Sequence, residues 1–177
     1  MSWLFNVYLS YLYPRKLKSK LVVLILAIIV FQMGVIGTYT GRMISELLEE
    51  QIGSRALKVS QTVSEIPSIQ KALERGNIAG SPIQEIAETI RKKTGAQFIV
   101  VGDKDGRRYS HPIKERLGKY MVGGDNDGAL KHGKSYISKA VGTLGPSIRG
   151  KVPIFNQEEK IIGLVSVGYL MENVNTI

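Results

Sequence analysis

The sequence predicts an α+β fold, in which helices come first and about five antiparallel strands then form one sheet, all behind a membrane-spanning helix. Three observations predict it. An uncharged run fills Leu21–Thr40, apolar residues recur at three- and four-residue steps from Ile44 to Ile90, and short strand-like runs divided by turn residues follow Gly95.

The uncharged run reads LVVLILAIIVFQMGVIGTYT, with Gln32 its one strongly polar side chain. As a helix, twenty residues rise about 30 Å, the thickness of a hydrocarbon core. Arg15, Lys16, Lys18 and Lys20 precede it, whereas Arg42 follows it and is soon joined by Glu46, Glu49 and Glu50. The positive-inside rule then places residues 1–20 in the cytoplasm, a transmembrane helix at 21–41 and an extracytoplasmic domain at 42–177. A cleaved signal peptide would have a shorter apolar region and an A-x-A-like site after it, neither of which is found. Trp3, Phe5, Tyr8, Tyr11 and Tyr13 would lie at the inner membrane interface, where aromatic rings gather.

Residues 43–75 are expected as helix. Ile44, Leu47, Leu48, Ile52, Ala56, Val59, Val63 and Ile66 make one apolar stripe, Pro67 breaks it, and Ile69 and Leu73 resume it. The stripe suits core packing, a signalling helix continuous with the membrane span, or the seam of a homodimer. Gly76, Gly80, Ser81 and Pro82 mark a loop. A second amphipathic helix runs through Ile83, Ile86, Ala87 and Ile90, with Ser81 as its cap and Gly95 beyond its end. Strands are expected at Gln97–Val101, Arg107–His111, Ser135–Val141, Ile148–Ile154 and Ile161–Tyr169. The first two are joined by the turn Gly102–Gly106 and the last two by Asn156–Lys160, while Pro112–Leu130 reads as loop with short helical pieces.

The chain has 177 residues, a net charge of +9 and no cysteine, which excludes disulfides, thiolate metal sites and cysteine nucleophiles. Removing the four cations before Leu21 from the 24 basic residues leaves 20 against 15 acidic, so the outer part is only weakly basic. Its cations lack the aromatic interleaving of a base-stacking surface, and an outward topology takes the domain away from nucleic acid. Catalysis is not expected. The two histidines, His111 and His132, have neither an i+4 partner nor an acidic orienter, and Ser110 and His111 would point to opposite faces of a strand. No catalytic residue, metal ligand or cofactor is assigned, and His132 is expected at the surface.

Chemistry concentrates in three clusters: Arg107-Arg108-Tyr109-Ser110-His111, Ser147-Ile148-Arg149-Gly150-Lys151, and Ser166 within Leu164–Gly168. Strand alternation puts Arg149 and Lys151 on one face, one pleat apart, and turns Ile148 and Val152 towards the core. Two cations side by side repel unless an anion or an acid neutralises them. Arginine grips a carboxylate through paired hydrogen bonds, lysine adds a point charge and histidine a donor. Ser166 and the loop Gly142-Thr143-Leu144-Gly145 can add hydroxyl and backbone donors. A solvent-facing strand with alternating cations fits the same spacing, so spacing alone leaves both readings open.

The residues also resemble a family. Arg108-Tyr109-Ser110-His111-Pro112 is similar to the arginine–histidine motif of the citrate and C4-dicarboxylate sensor histidine kinases of the CitA/DcuS type. Gly123-Gly124-Asp125, the run Gly142–Ile154 and the run Ile162–Tyr169 continue the match in order, as do the basic-flanked span and Ala56-Leu57-Lys58-Val59. The resemblance implies a PAS-like domain with a five-stranded antiparallel sheet, flanking helices and a ligand held under a loop-and-helix lid. It implies that Arg108, His111, Arg149 and Lys151 bind ligand carboxylates, with Gly142, Thr143, Leu144 and Ser166 completing the pocket. Lys151 resembles the citrate-type branch, since the dicarboxylate-type sensors have an apolar residue there. Val100 departs from that branch, which has a threonine and one more hydroxyl at this position. The partners implied are a small carboxylate such as citrate or malate, the lipid bilayer, a second copy of the chain and a cytoplasmic response regulator. A second membrane helix would follow Ile177, and ATP would belong only to a kinase domain beyond it, so the chain is expected to be the sensory fragment of a larger kinase. A chemoreceptor or another membrane-anchored anion-binding protein is the alternative.

Overall fold

A computed structural model describes residues 17–171, which excludes the five aromatic residues before Tyr13's successor Pro14 as well as Arg15 and Lys16. Helix α1 spans Leu17–Ser64, α2 Pro67–Arg75 and α3 Ile83–Thr94. Strand β1 is Phe98–Asp103; a short 3-10 turn at Lys114–Arg116 and the one-turn helix α4 at Asp127–Leu130 come before β2 Tyr136–Gly142, β3 Gly145–Phe155 and β4 Ile161–Leu170. The chain divides into two units, the first ending at Glu46 and the second starting at Leu47.

In the first unit the described residues are entirely helical, and their side chains are exposed, including Leu24, Ile25, Phe31 and Ile36. This helix is long and apolar enough to cross a membrane.

The second unit is built on a four-stranded antiparallel sheet in the order β1-β4-β3-β2. Helical stripe residues Ala56 and Val63 are fully buried against it, together with Ile99, Val101, Val165 and Val167 from the sheet and Ile69, Leu73, Ile83 and Ala87 from α2 and α3. The stripe is graded: Ile44 and Leu47 remain about half exposed, while burial begins at Gly53. Pro67 sits in the first turn of α2, where its missing N–H costs nothing. Gly76 and Gly95 end α2 and α3 in the left-handed conformation, Gly76 in the expected loop and Gly95 just beyond the helix as expected.

Among the described residues four strands form, not five. Arg107–His111 was expected as the second strand, but it forms no ladder with the sheet: its strand-type pairing is confined to the isolated bridge Gly102↔Arg108, with a further bridge Arg107↔Tyr120. The physical reason lies in Ser110. Its hydroxyl accepts from Val101 N–H at 2.7 Å and donates to Ile99 C=O at 3.0 Å, so a side chain takes the place of ladder partners. Tyr109 N–H and Ser110 N–H both converge on Val101 C=O, which a regular ladder does not allow. The segment therefore caps the β1 edge and turns away with Arg108 and His111.

Candidate functional site

The face of the sheet opposite α1 carries the polar rows. Pairing aligns Phe98, Gly168 and Arg149 across β1, β4 and β3, with Ser138 of β2 next to Arg149. One pleat away it aligns Val100, Ser166, Lys151 and Tyr136. Over these rows lies a recess of about 360 Å³, open solvent at its mouth included, lined by Val100, Arg108, His111, Thr143, Arg149 and Ser166 among others.

Of the eight side chains expected to bind ligand, seven line this recess: Arg108, His111, Gly142, Thr143, Leu144, Arg149 and Ser166. Four segments bring them together: the chain leaving β1, the β2–β3 turn, and the centres of β3 and β4. Gly142 and Gly145 pair across the β2–β3 turn, which leaves Thr143 and Leu144 at its tip. A Cβ at Gly142 would lie 2.2 Å from the Arg149 guanidinium, so any side chain there would push the arginine out of its present position.

Arg149 is held on every side. Its Nε donates to Ser147 Oγ at 2.9 Å, its Nη2 to Ala140 C=O at 3.1 Å, and its Nη1 to Asp125 Oδ1 at 3.3 Å. Its guanidinium carbon sits 5.8 Å from the centre of the Phe98 ring. Burial lowers its pKa while Asp125 opposes the shift, and the group stays cationic.

Arg108 differs. It is 4% exposed, and its Nη2 donates to a hydroxyl, Thr143 Oγ1, at 3.2 Å. Among the described residues no carboxylate forms an ion pair with it, and both burial and Arg116 lower its pKa. A buried guanidinium without a counter-charge is costly, and an incoming anion would remove that cost.

His111 is buried beside it. His111 Nδ1 lies 3.0 Å from Ile113 N and 3.2 Å from Ile113 O, and the tautomer in which Nδ1 accepts the Ile113 N–H leaves the proton on Nε2. Burial, then Arg108, push its pKa down, and it is a neutral donor at pH 7. Gln84 of α3 fixes its backbone from both sides, accepting His111 N–H at 2.9 Å and donating to His111 C=O at 3.1 Å.

Lys151 is the eighth residue, and it does not line the recess. It is fully buried one pleat from Arg149, and its ammonium lies 3.2 Å from Asp125 Oδ1 and donates to Asn126 Oδ1. Burial pushes its pKa down to about 8, against the pull of Asp125. Burial alone would push the Asp125 carboxyl up, but the Ser138 hydroxyl, Lys151 and Arg149 outweigh it and hold the carboxyl below its ordinary value.

Asp125, Asn126, Phe98 and Gln84 were not singled out from the sequence for this site, and Ser147, which holds Arg149, stood in its cluster without a role. A signal existed for Asp125 in the Gly123-Gly124-Asp125 motif, because two adjacent cations on a strand require a neutralising acid. Phe98 and Gln84 gave none, since only pairing across the sheet and helix packing bring them to the site. His132 is exposed, as expected.

A PAS-like α+β domain with a cationic recess on the face of its sheet opposite a long helix is the class this fold and site define. The chain belongs to the single cache domain 3 family, which matches residues 44–176. It is 49% identical over 166 residues to the sensor protein CitS of Halalkalibacterium halodurans, covering 94% of this chain and 31% of that one. It is 36% identical to the sensor histidine kinase CitA of Klebsiella pneumoniae, covering 90% and 29% of the two chains. The crystal structure of the E. coli DcuS sensor domain superposes with a TM-score of 0.70 at 33% identity, over 73% of this chain and 96% of that domain. The chain thus spans under a third of the length of the curated relatives it matches.

Proposed function

We propose that residues 42–177 are the extracytoplasmic sensor domain of a two-component sensor histidine kinase, that they bind a di- or tricarboxylate with citrate favoured, and that binding is relayed to a cytoplasmic response regulator. In this reading residues 21–41 cross the membrane and residues 1–20 stay in the cytoplasm, as the basic flank requires. The observation that carries the reading is Arg108: a buried guanidinium without a carboxylate partner among the described residues, beside the Arg149 guanidinium, the His111 ring and the Ser166 hydroxyl.

The relatives support the ligand class: CitS and CitA are sensors, and another relative, 28% identical, is a probable C4-dicarboxylate sensor kinase of Bacillus subtilis. Two arginines can each hold one ligand carboxylate through paired hydrogen bonds, with Nε2 of His111, Ser166 and the backbone of Gly142–Leu144 supplying neutral donors. Charge-assisted bonds of this kind contribute about 1.5–3 kcal/mol each. A homodimer through the exposed Ile44 and Leu47 end of the helical stripe completes the proposal.

Titration calorimetry of the full chain in detergent micelles with citrate, malate, succinate and fumarate tests it. At least one should bind at micromolar to low-millimolar levels, and Arg108→Ala should abolish that binding while circular dichroism stays unchanged. No heat from any of the four at millimolar concentration overturns the reading.

A further inference from the structure

Lys151 and Arg149 already share a carboxylate, and it belongs to the protein. The Asp125 side chain is 14% exposed, and one of its oxygens reaches both cations, Arg149 at 3.3 Å and Lys151 at 3.2 Å. Its other oxygen accepts the Ser138 hydroxyl at 2.6 Å, and its backbone C=O accepts the Tyr136 hydroxyl. Asp125 is thus anchored to β2 from behind and presents one oxygen to the cations of β3.

Neither cation needs Asp125 for its position. Arg149 is oriented by Ser147, Ala140 and the Phe98 ring, and Lys151 is held by Asn126 as well. What Asp125 changes is charge. Arg108, Arg149 and Lys151 carry three positive charges, and Asp125 cancels one of them. What remains balances a dicarboxylate. A third carboxylate finds a cation of its own only when Lys151 is released, and Lys151 stands directly across from Ser166, which lines the recess.

Resting on the carboxylate-sensing reading, we propose that Asp125 is a tethered carboxylate that competes with the ligand for Lys151 and Arg149, and that it thereby sets how strongly the site prefers tricarboxylates over dicarboxylates. A ligand with two carboxylates binds Arg108 and Arg149 and leaves the Asp125–Lys151 pair in place. A ligand with three must displace Asp125 to reach Lys151, and the lost Asp125 contacts are subtracted from its affinity. The segment that would yield enters Asp125 through Gly123 and Gly124, whose φ values of 125° and 67° leave that entry to glycine.

The test is calorimetry of the full chain in micelles with citrate and with succinate, for the unmodified chain, Asp125→Asn and Ser138→Ala. Asp125→Asn keeps the shape and removes the charge, and citrate affinity should rise about tenfold, the worth of one charge-assisted bond, while succinate gains less than about threefold. Ser138→Ala removes the anchor alone and should move citrate the same way by a smaller factor; it carries the test should Asp125→Asn fail to unfold cooperatively. Equal gains for both ligands, unchanged citrate affinity or weaker citrate binding overturns the inference. Carboxylate binding by the unmodified chain with no such gain refutes the role of Asp125 alone, whereas no carboxylate binding by the unmodified chain refutes the sensing function beneath it.

Discussion

A Cβ at Gly168 would lie 2.0 Å from the Phe98 ring, so the absence of a side chain in the middle of this cross-strand row is what lets Phe98 lie across β4 and reach the Arg149 guanidinium. An aromatic face beside a guanidinium contributes about 0.5–2 kcal/mol, the larger figure where water is excluded. Phe98→Leu should therefore weaken carboxylate binding by about three- to tenfold with the fold retained, which calorimetry and near-UV dichroism together would check. Val100 gives a second residue-scale prediction. It is 5% exposed and lines the recess across from Ser166. Val100→Thr puts a hydroxyl of nearly the same size into a buried place, at a cost of about 1–3 kcal/mol if it stays unpaired. Without ligand the variant should melt earlier than the parent. With citrate the hydroxyl gains a partner, so the stabilisation by citrate should be larger in the variant; an equal thermal shift in both chains would count against Val100 facing the ligand.

Between element and element, the binding strand and the long helix meet backbone to backbone. A Cβ on Gly150 would lie 2.3 Å from Leu57 N and 2.4 Å from the Ala56 carbonyl carbon, so α1 rests on the β3 backbone at the residue between Arg149 and Lys151. Ser60 ties the same contact: its hydroxyl bonds to Gly150 C=O at 2.8 Å and accepts Val167 N–H at 3.2 Å. Any shift of β3 driven from its polar face reaches α1 across a single backbone layer, because packed interiors do not deform freely. Gly150→Ala should lower stability by about 1–3 kcal/mol or more through overpacking against backbone, measured by urea unfolding. Ser60→Ala removes both of these bonds from a buried contact and should cost about 1–2 kcal/mol. At this scale the sequence was legible wherever one period governs a segment: the helices, the break at Pro67, the glycine stops and three of the strands after the first follow from local pattern. The Arg107–His111 segment was misread because its alternation is real, while its fate depends on the Ser110 hydroxyl finding β1. The cations of the site were legible as a cluster. Their internal counter-charge was signalled only indirectly, by the need of two adjacent cations for an acid, since Asp125 lies 24 residues from Arg149 in the chain and meets it only in the folded domain.

For the whole molecule, the buried ammonium of Lys151 gives stability and ligand binding opposite dependences on pH. Its pKa falls from 10.5 to about 8 in the folded chain. Between those values the unfolded chain holds the proton that the folded chain has released, so folding stability without ligand rises with pH through the window of about 8 to 10.5 and is lowest below it. A tricarboxylate that recruits Lys151 needs the ammonium charged, so its affinity should fall as pH rises through about 8. Arg108 and Arg149 keep their charge throughout, and a dicarboxylate that uses them alone should show a much flatter profile. A ligand at a hundred times its Kd adds about 2.7 kcal/mol to the stability of the state it binds. Thermal unfolding of the second unit, followed from pH 7 to 10 with and without citrate, should therefore show two melting curves that converge as pH rises, with the ligand-free curve climbing toward the other. The same series with succinate should keep its separation. Parallel curves for citrate and succinate would mean that Lys151 stays with Asp125 whatever the ligand, and would confine recognition to the two arginines.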